Sequence, residues 1–244
     1  MHTRRTQSLF VLLFIAVFCL YFSVSFGAEN TDKTFITITT FVFSMFAGFF
    51  ITRQGNRYTK IREIISTFDG KLTGCYRAST NVSAEFHQEV TKILTAHYHK
   101  VLETRRWDFH FTNKSNTITS IHALLERLIG DNKIESLRGQ AIGRIMSNLS
   151  DAQVLRKNMV MLWYEEMVPF QWYLMIFFVI ILITTISIIP SVGLLIPSLL
   201  KASFVVTIVA VMAILRDLDN LYLFETFVGE HSARDVLHII AGTK

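Results

Sequence analysis

The chain has 244 residues, 51% of them hydrophobic, with 21 Phe, only 3 Pro, 2 Cys and a formal net charge of +5. This composition excludes a disordered chain and a disulfide-built one, and its long uncharged runs exclude an ordinary soluble domain. Charge is absent from Thr6 to Ala28, from Thr34 to Thr52 and from Met167 to Leu200. About 20 apolar residues of helix, rising about 1.5 Å each, cross a hydrocarbon core about 30 Å thick, so these runs predict membrane spans.

The first apolar run, Leu9 to Phe26, follows His2, Arg4 and Arg5. Two readings fit it: a retained span, or a cleaved signal peptide with Ser25-Phe26-Gly27 near the cut. The length of the run and its bulky end at Tyr21 favour the retained span. A short link, Ala28 to Lys33, leads to the second run, Thr34 to Thr52. Its Thr-Ile-Thr-Ile opening alternates like a strand, but an isolated strand in lipid leaves backbone groups unpaired, so a helix is predicted. Arg53, Arg57, Lys60 and Arg62 follow at once. With Arg4 and Arg5 on the same side, the positive-inside rule places the N-terminus and the central segment in the cytoplasm.

Ile61, Ile64, Ile65, Phe68, Leu72 and Tyr76 recur at helical spacing, so the second span continues past the membrane, with Gly55 and Gly70 as places for a bend. Ser83 is an N-cap candidate for a helix that turns Phe86, Val90, Ile93, Leu94, Val101 and Leu102 inward. Asp108 to Asn116 reads as a loop. Thr117 to Ile129 reads as a short helix ending at Gly130, with Asp131 capping the next. That next helix carries Ile134, Leu137, Ile142, Ile145, Met146, Leu149, Leu155, Met159 and Leu162 back to the membrane. Trp163, Tyr164, Trp172 and Tyr173 bracket Pro169, as amphipathic rings do at headgroup level. The third span is predicted over about Phe170 to Ile189. Pro190 and Pro197 frame an external turn, and the fourth span covers about Ser198 to Leu215. Lys201 lies near its outer end, where the stem can snorkel.

The predicted fold is an all-α integral membrane protein of four transmembrane helices, with a helical cytoplasmic bundle inserted between spans 2 and 3. The segments are a transmembrane hairpin over 9–52, a cytoplasmic helical domain over 53–167, a second transmembrane hairpin over 168–215 and a cytoplasmic C-terminal tail over 216–244. From 53 to 167 there are 17 basic and 12 acidic residues, and from 216 to 244 there are 3 and 5. The basic excess is thus a topology signal, and with acids interleaved on amphipathic helices no nucleic-acid partner is expected.

Gly48-Phe49-Phe50 running into Arg53-Gln54-Gly55-Asn56-Arg57-Tyr58, then Ile61-Arg62-Glu63, resembles a bestrophin-like family of bacterial four-span membrane proteins. The step from Leu72 to Tyr76-Arg77 and the approach Val168-Pro169 before Trp172 resemble that family too. The sequence departs from it after Leu218-Asp219-Asn220, where the family commonly places a Pro-Phe pair. Bestrophins proper are pentameric anion channels whose second span lines the pore. The resemblance therefore implies a homo-oligomeric channel or pore component in a bacterial inner membrane, with the lipid bilayer and ions, anions by analogy, as its partners.

Phe46, Phe49 and Phe50, with Phe41, are candidates for a hydrophobic constriction that gates by dewetting; ordinary packing is the competing reading. Arg53, Arg57, Lys60 and Arg62 are candidates for a basic pore mouth or for lipid binding, against a plain positive-inside anchor. His99 and Glu103 share a helix face, but His97 points elsewhere, so solvated or interfacial histidines are expected and no metal site. Glu165-Glu166 is expected as a headgroup-level polar pair. With no nucleophile elbow, phosphate loop or glycine fingerprint, neither enzymatic activity nor a cofactor is expected. The rival function is a membrane-anchored signalling or scaffolding protein whose cytoplasmic helices bind a partner.

Overall fold

Apolar residues at helical spacing, few prolines and few glycines dictate helices, and helices are what the chain forms. The computed structural model describes residues 2–24, 33–104, 108, 111, 116–129, 136–189, 194–221 and 228–242. Eight helices occupy these residues: α1 (His2–Ser23), α2 (Lys33–Ser79), α3 (Ala84–Thr104), α4 (Thr117–Ile129), α5 (Ser136–Trp163), α6 (Pro169–Ile188), α7 (Leu195–Asp219) and α8 (Val228–Ala241). The expected turn residues Gly130, Asp131 and Pro190, and most of the expected 108–116 loop, lie outside the described residues.

The chain divides into two units. The first holds Met1–Gly55 and Glu166–Asn220; the second holds Asn56–Glu165 and Leu221–Lys244.

In the first unit α1 packs along α7, and α6 packs on α7. Its core is Phe43, Ala47 and Phe50 of α2 against Met175 and Leu182 of α6 and Ile208 and Leu215 of α7, with Met167 from the segment before α6. Outside this core, Phe41, Phe49, Phe170, Phe177, Ile180 and Leu200 are all exposed. Such a surface would aggregate in water and is stable in hydrocarbon. Among the described residues three helices are long and apolar enough to cross a membrane: Ile36–Ser79, Pro169–Ile188 and Leu195–Asp219. α1 contributes a shorter apolar stretch, Val11–Ser23. The chain is a multi-pass membrane protein.

Two details differ from the sequence reading. The last apolar helix starts at Leu195, so Pro197 lies in its first turn and not in the preceding turn. A first-turn N–H has no intrahelical acceptor, so proline costs no hydrogen bond there. Lys201 does not snorkel outward: it is buried. Its ammonium donates to the carbonyl of Ile189 and stands 4.9 Å from the Tyr21 ring centroid. Unpaired carbonyls and the negative dipole end of α6 hold the cation there.

The second unit is a helical bundle around one hydrophobic core. Ile61, Phe68 and Leu72 of α2, Val90 and Leu94 of α3, Ile121 and Leu125 of α4, and Ile145 and Leu149 of α5 all meet in it. Ser83 does cap α3, accepting the Phe86 N–H at 3.1 Å. α2 is helical through both Gly55 and Gly70. The residues at 228–241, counted in a tail from sequence, form α8, which packs on α3 through Ala233 and Val236.

Candidate functional site

Helical spacing on α2 separates two faces. Phe43, Ala47, Phe50, Gln54, Arg57 and Ile61 are buried at successive intervals of three or four residues. Ile38, Phe41, Met45 and Phe49 form the opposite stripe and are 57%, 68%, 57% and 60% exposed. Of the four candidate constriction residues, Phe50 lies in the core and Phe46 is half-buried against Phe178, ring centroids 5.5 Å apart. Phe41 and Phe49 lie on the open face, Phe49 meeting Phe50 edge-on at 5.4 Å. Gly48 shares the open side, and a methyl group there would meet nothing within 4 Å in the chain.

The four basic candidates fall into different surroundings. Lys60 and Arg62 are exposed and Arg53 is half-buried. Arg57 is buried: its Nε donates to the Leu162 carbonyl at 2.7 Å and its Nη2 to the Trp163 carbonyl at 2.7 Å. These are the last carbonyls of α5, where no intrahelical donor is available. The planar guanidinium therefore caps α5 and ties it to α2, each charged hydrogen bond contributing about 1.5–3 kcal/mol.

Asp219 does comparable work at the end of α7. One carboxylate oxygen accepts the Met167 N–H at 2.7 Å and the other accepts the Trp172 Nε1–H at 3.1 Å. Trp172 is thus held by its polar edge while its ring packs against the core of the first unit. Spacing alone gave no sign of this clasp, because Asp219 and Trp172 are 47 residues apart.

Three hydroxyls in the spans bond back to their own helices, while Ser198 donates across to the Tyr21 carbonyl of α1. Thr185 donates to the Ile181 carbonyl and Ser187 to the Ile183 carbonyl, each at 2.6 Å, and Thr207 donates to that of Ser203 at 2.8 Å. Such back-bonding removes the need for a water-lined path at these positions.

In the second unit the carboxylate of Asp69 is buried among α2, α3 and α8. It accepts the Tyr98 hydroxyl at 2.8 Å and the Ser232 hydroxyl. Burial pushes its pKa up to about 6, Asp235 adds to the rise, and the two hydroxyl donors pull it back. The Tyr98 hydroxyl is raised in turn, by burial first and then by the Asp69 charge. Cys75 is a core residue whose thiol burial pushes up to about 12. The sequence did not single out this cluster; the signal available was an Asp on the apolar face that starts at Ile61.

His97 is not solvated: it is buried where α3 meets α4, and its Nδ1 pairs with the Thr117 hydroxyl at 2.8 Å. It sits beside Phe68 and Tyr98 because its position belongs to the inward face of α3. His99 is exposed, as are Glu165 and Glu166. No group of His, Cys, Asp and Glu suited to a metal ion occurs among the described residues.

Apolar helices long enough to span, an outward aromatic surface and a separate helical unit define a multi-pass helical membrane protein. The family model of the Bestrophin-like domain matches residues 29–223, from the segment before α2 to the end of α7 and just beyond. The chain belongs to the bestrophin-like family. No curated protein and no solved structure matches it.

Proposed function

We propose that this chain assembles with copies of itself into a bestrophin-like channel, conducting ions along an axis lined by α2, with anions favoured. In this reading α1 is a fourth span, both termini and the second unit are cytoplasmic, and the membrane is a bacterial inner membrane. The observation that carries the proposal is the open stripe of α2, Ile38, Phe41, Met45 and Phe49, which its own chain leaves uncovered. Family membership supports the same reading. Thr185, Ser187 and Thr207 bond back to their own helices, which leaves the uncovered face of α2 as the surface for a path between copies.

Phe49 is the constriction residue on this reading. Arg53 follows one helical turn later, so repeated copies would set a basic ring beside an aromatic one. Such a ring concentrates anions at the mouth. Phe49→Ala should widen and hydrate the constriction and raise ion flux into liposomes severalfold. Arg53→Gln should lower the preference for anions over cations. If neither wild type nor Phe49→Ala conducts, the spans serve as an anchor, and the rival signalling or scaffolding role takes over.

A further inference from the structure

The second unit carries an open groove of about 430 Å³ where the last turns of α2 meet α5. Arg77, Asn81, Arg144, Ser147 and Asn148 line it above Gly74, and among the described residues no acidic side chain lines it. Arg77 and Arg144 are exposed, and among the described residues neither guanidinium has a carboxylate partner. Cations elsewhere on this unit do find partners, as Lys71 does with Asp151 at 2.7 Å. Two unpaired guanidinium groups on one groove repel each other until an anion lies between them.

The floor of the groove is shaped for a side-chain amide. A Cβ at Gly74 would stand 2.7 Å from Asn148 Nδ2, so only glycine lets that amide lie against α2. The lining then offers guanidinium forks, two amides and a hydroxyl, a donor-rich set that matches the oxygens of a phosphate group. We propose that this groove binds a soluble, phosphate-bearing small molecule, with Arg77 and Arg144 as its charge partners and Asn148 fixing its orientation.

A lipid headgroup carries the same chemistry, but position favours the soluble source. Arg77 follows Thr52, the last residue of the uncharged run, by about 25 residues, or about 37 Å counted along α2. Salt screens a membrane surface over about 8–10 Å.

Inorganic pyrophosphate is the probe, titrated calorimetrically into the full chain in lipid discs at constant ionic strength. Saturable binding is expected, weakened about tenfold or more by the double substitution Arg77→Gln/Arg144→Gln. Both side chains are exposed, so the variant should keep the wild-type unfolding temperature. Gly74→Ala, which pushes only the flexible end of Asn148, should weaken binding severalfold. Discs with and without a phosphorylated inositol lipid separate the two sources. The proposal is overturned by absence of saturable binding, by binding that ignores the double substitution, or by headgroup binding that pyrophosphate does not displace.

Discussion

Asp69 shows how one side chain links a helical core to pH. It is an acid on the inward face of α2, and it is tolerated because Tyr98 and Ser232 both donate to it. Its pKa of about 6, against an ordinary 3.8, means that the folded state holds a proton which the unfolded chain has already released. Between about pH 4 and pH 6 unfolding therefore releases a proton, and stability falls as pH rises through that window. The total is about 3 kcal/mol, and above pH 6 the curve flattens. Thermal unfolding across pH 4–7 should show this slope in the wild type and lose it in Asp69→Asn. An identical slope in the variant would assign it to another group. The sequence offered only an Asp on the apolar face that starts at Ile61; its burial is created by α3 and α8 arriving from distant positions.

At the scale of the helix, the legible features were those with local causes. The Ser83 cap, the 117–129 helix and the inward face of α3 all follow from spacing and capping within one segment, and all three are present. The features missed join helix ends to residues far away in sequence. Arg57 reads as one of four basic residues after a span, yet it is buried on the carbonyls of Leu162 and Trp163. Lys201 reads as a snorkelling cation, yet it caps α6. α8 was passed over as a tail although Ala233, Val236, Leu237 and Ile240 repeat at helical spacing. The cap at Arg57 gives a direct prediction. Arg57→Ala should destabilise the chain by about 3–5 kcal/mol, since two carbonyls lose charged donors. Arg57→Lys should recover about half, because an ammonium cannot reproduce the planar fork. Denaturation midpoints in detergent would measure both; a loss below about 1 kcal/mol in Arg57→Ala would dismiss the cap.

For the whole molecule, the division of labour follows from surface chemistry. One unit is apolar outside as well as inside, and the other has an apolar core under charged helices. The topology proposed above puts Lys92, on the exposed face of α3, in the cytoplasm. In a Cys19→Ser background, Lys92→Cys should therefore resist an impermeant maleimide in intact cells and react after lysis. Cys75 should stay silent throughout, since its thiol is buried. Labelling of Lys92→Cys in intact cells would reverse the orientation.

The open stripe of α2 is the part of the molecule for which sequence and single-chain structure give the same incentive to associate. Phe49 and Met45 are uncovered, and Gly48 beside them leaves room for a neighbouring helix to approach closely. Native mass spectrometry of the chain released from lipid discs measures this most directly. A channel lined by α2 from several copies predicts one discrete species at a whole-number multiple, three or more, of the 28.0 kDa chain. A sole species at 28.0 kDa would leave no axis for α2 to line and would contradict the channel.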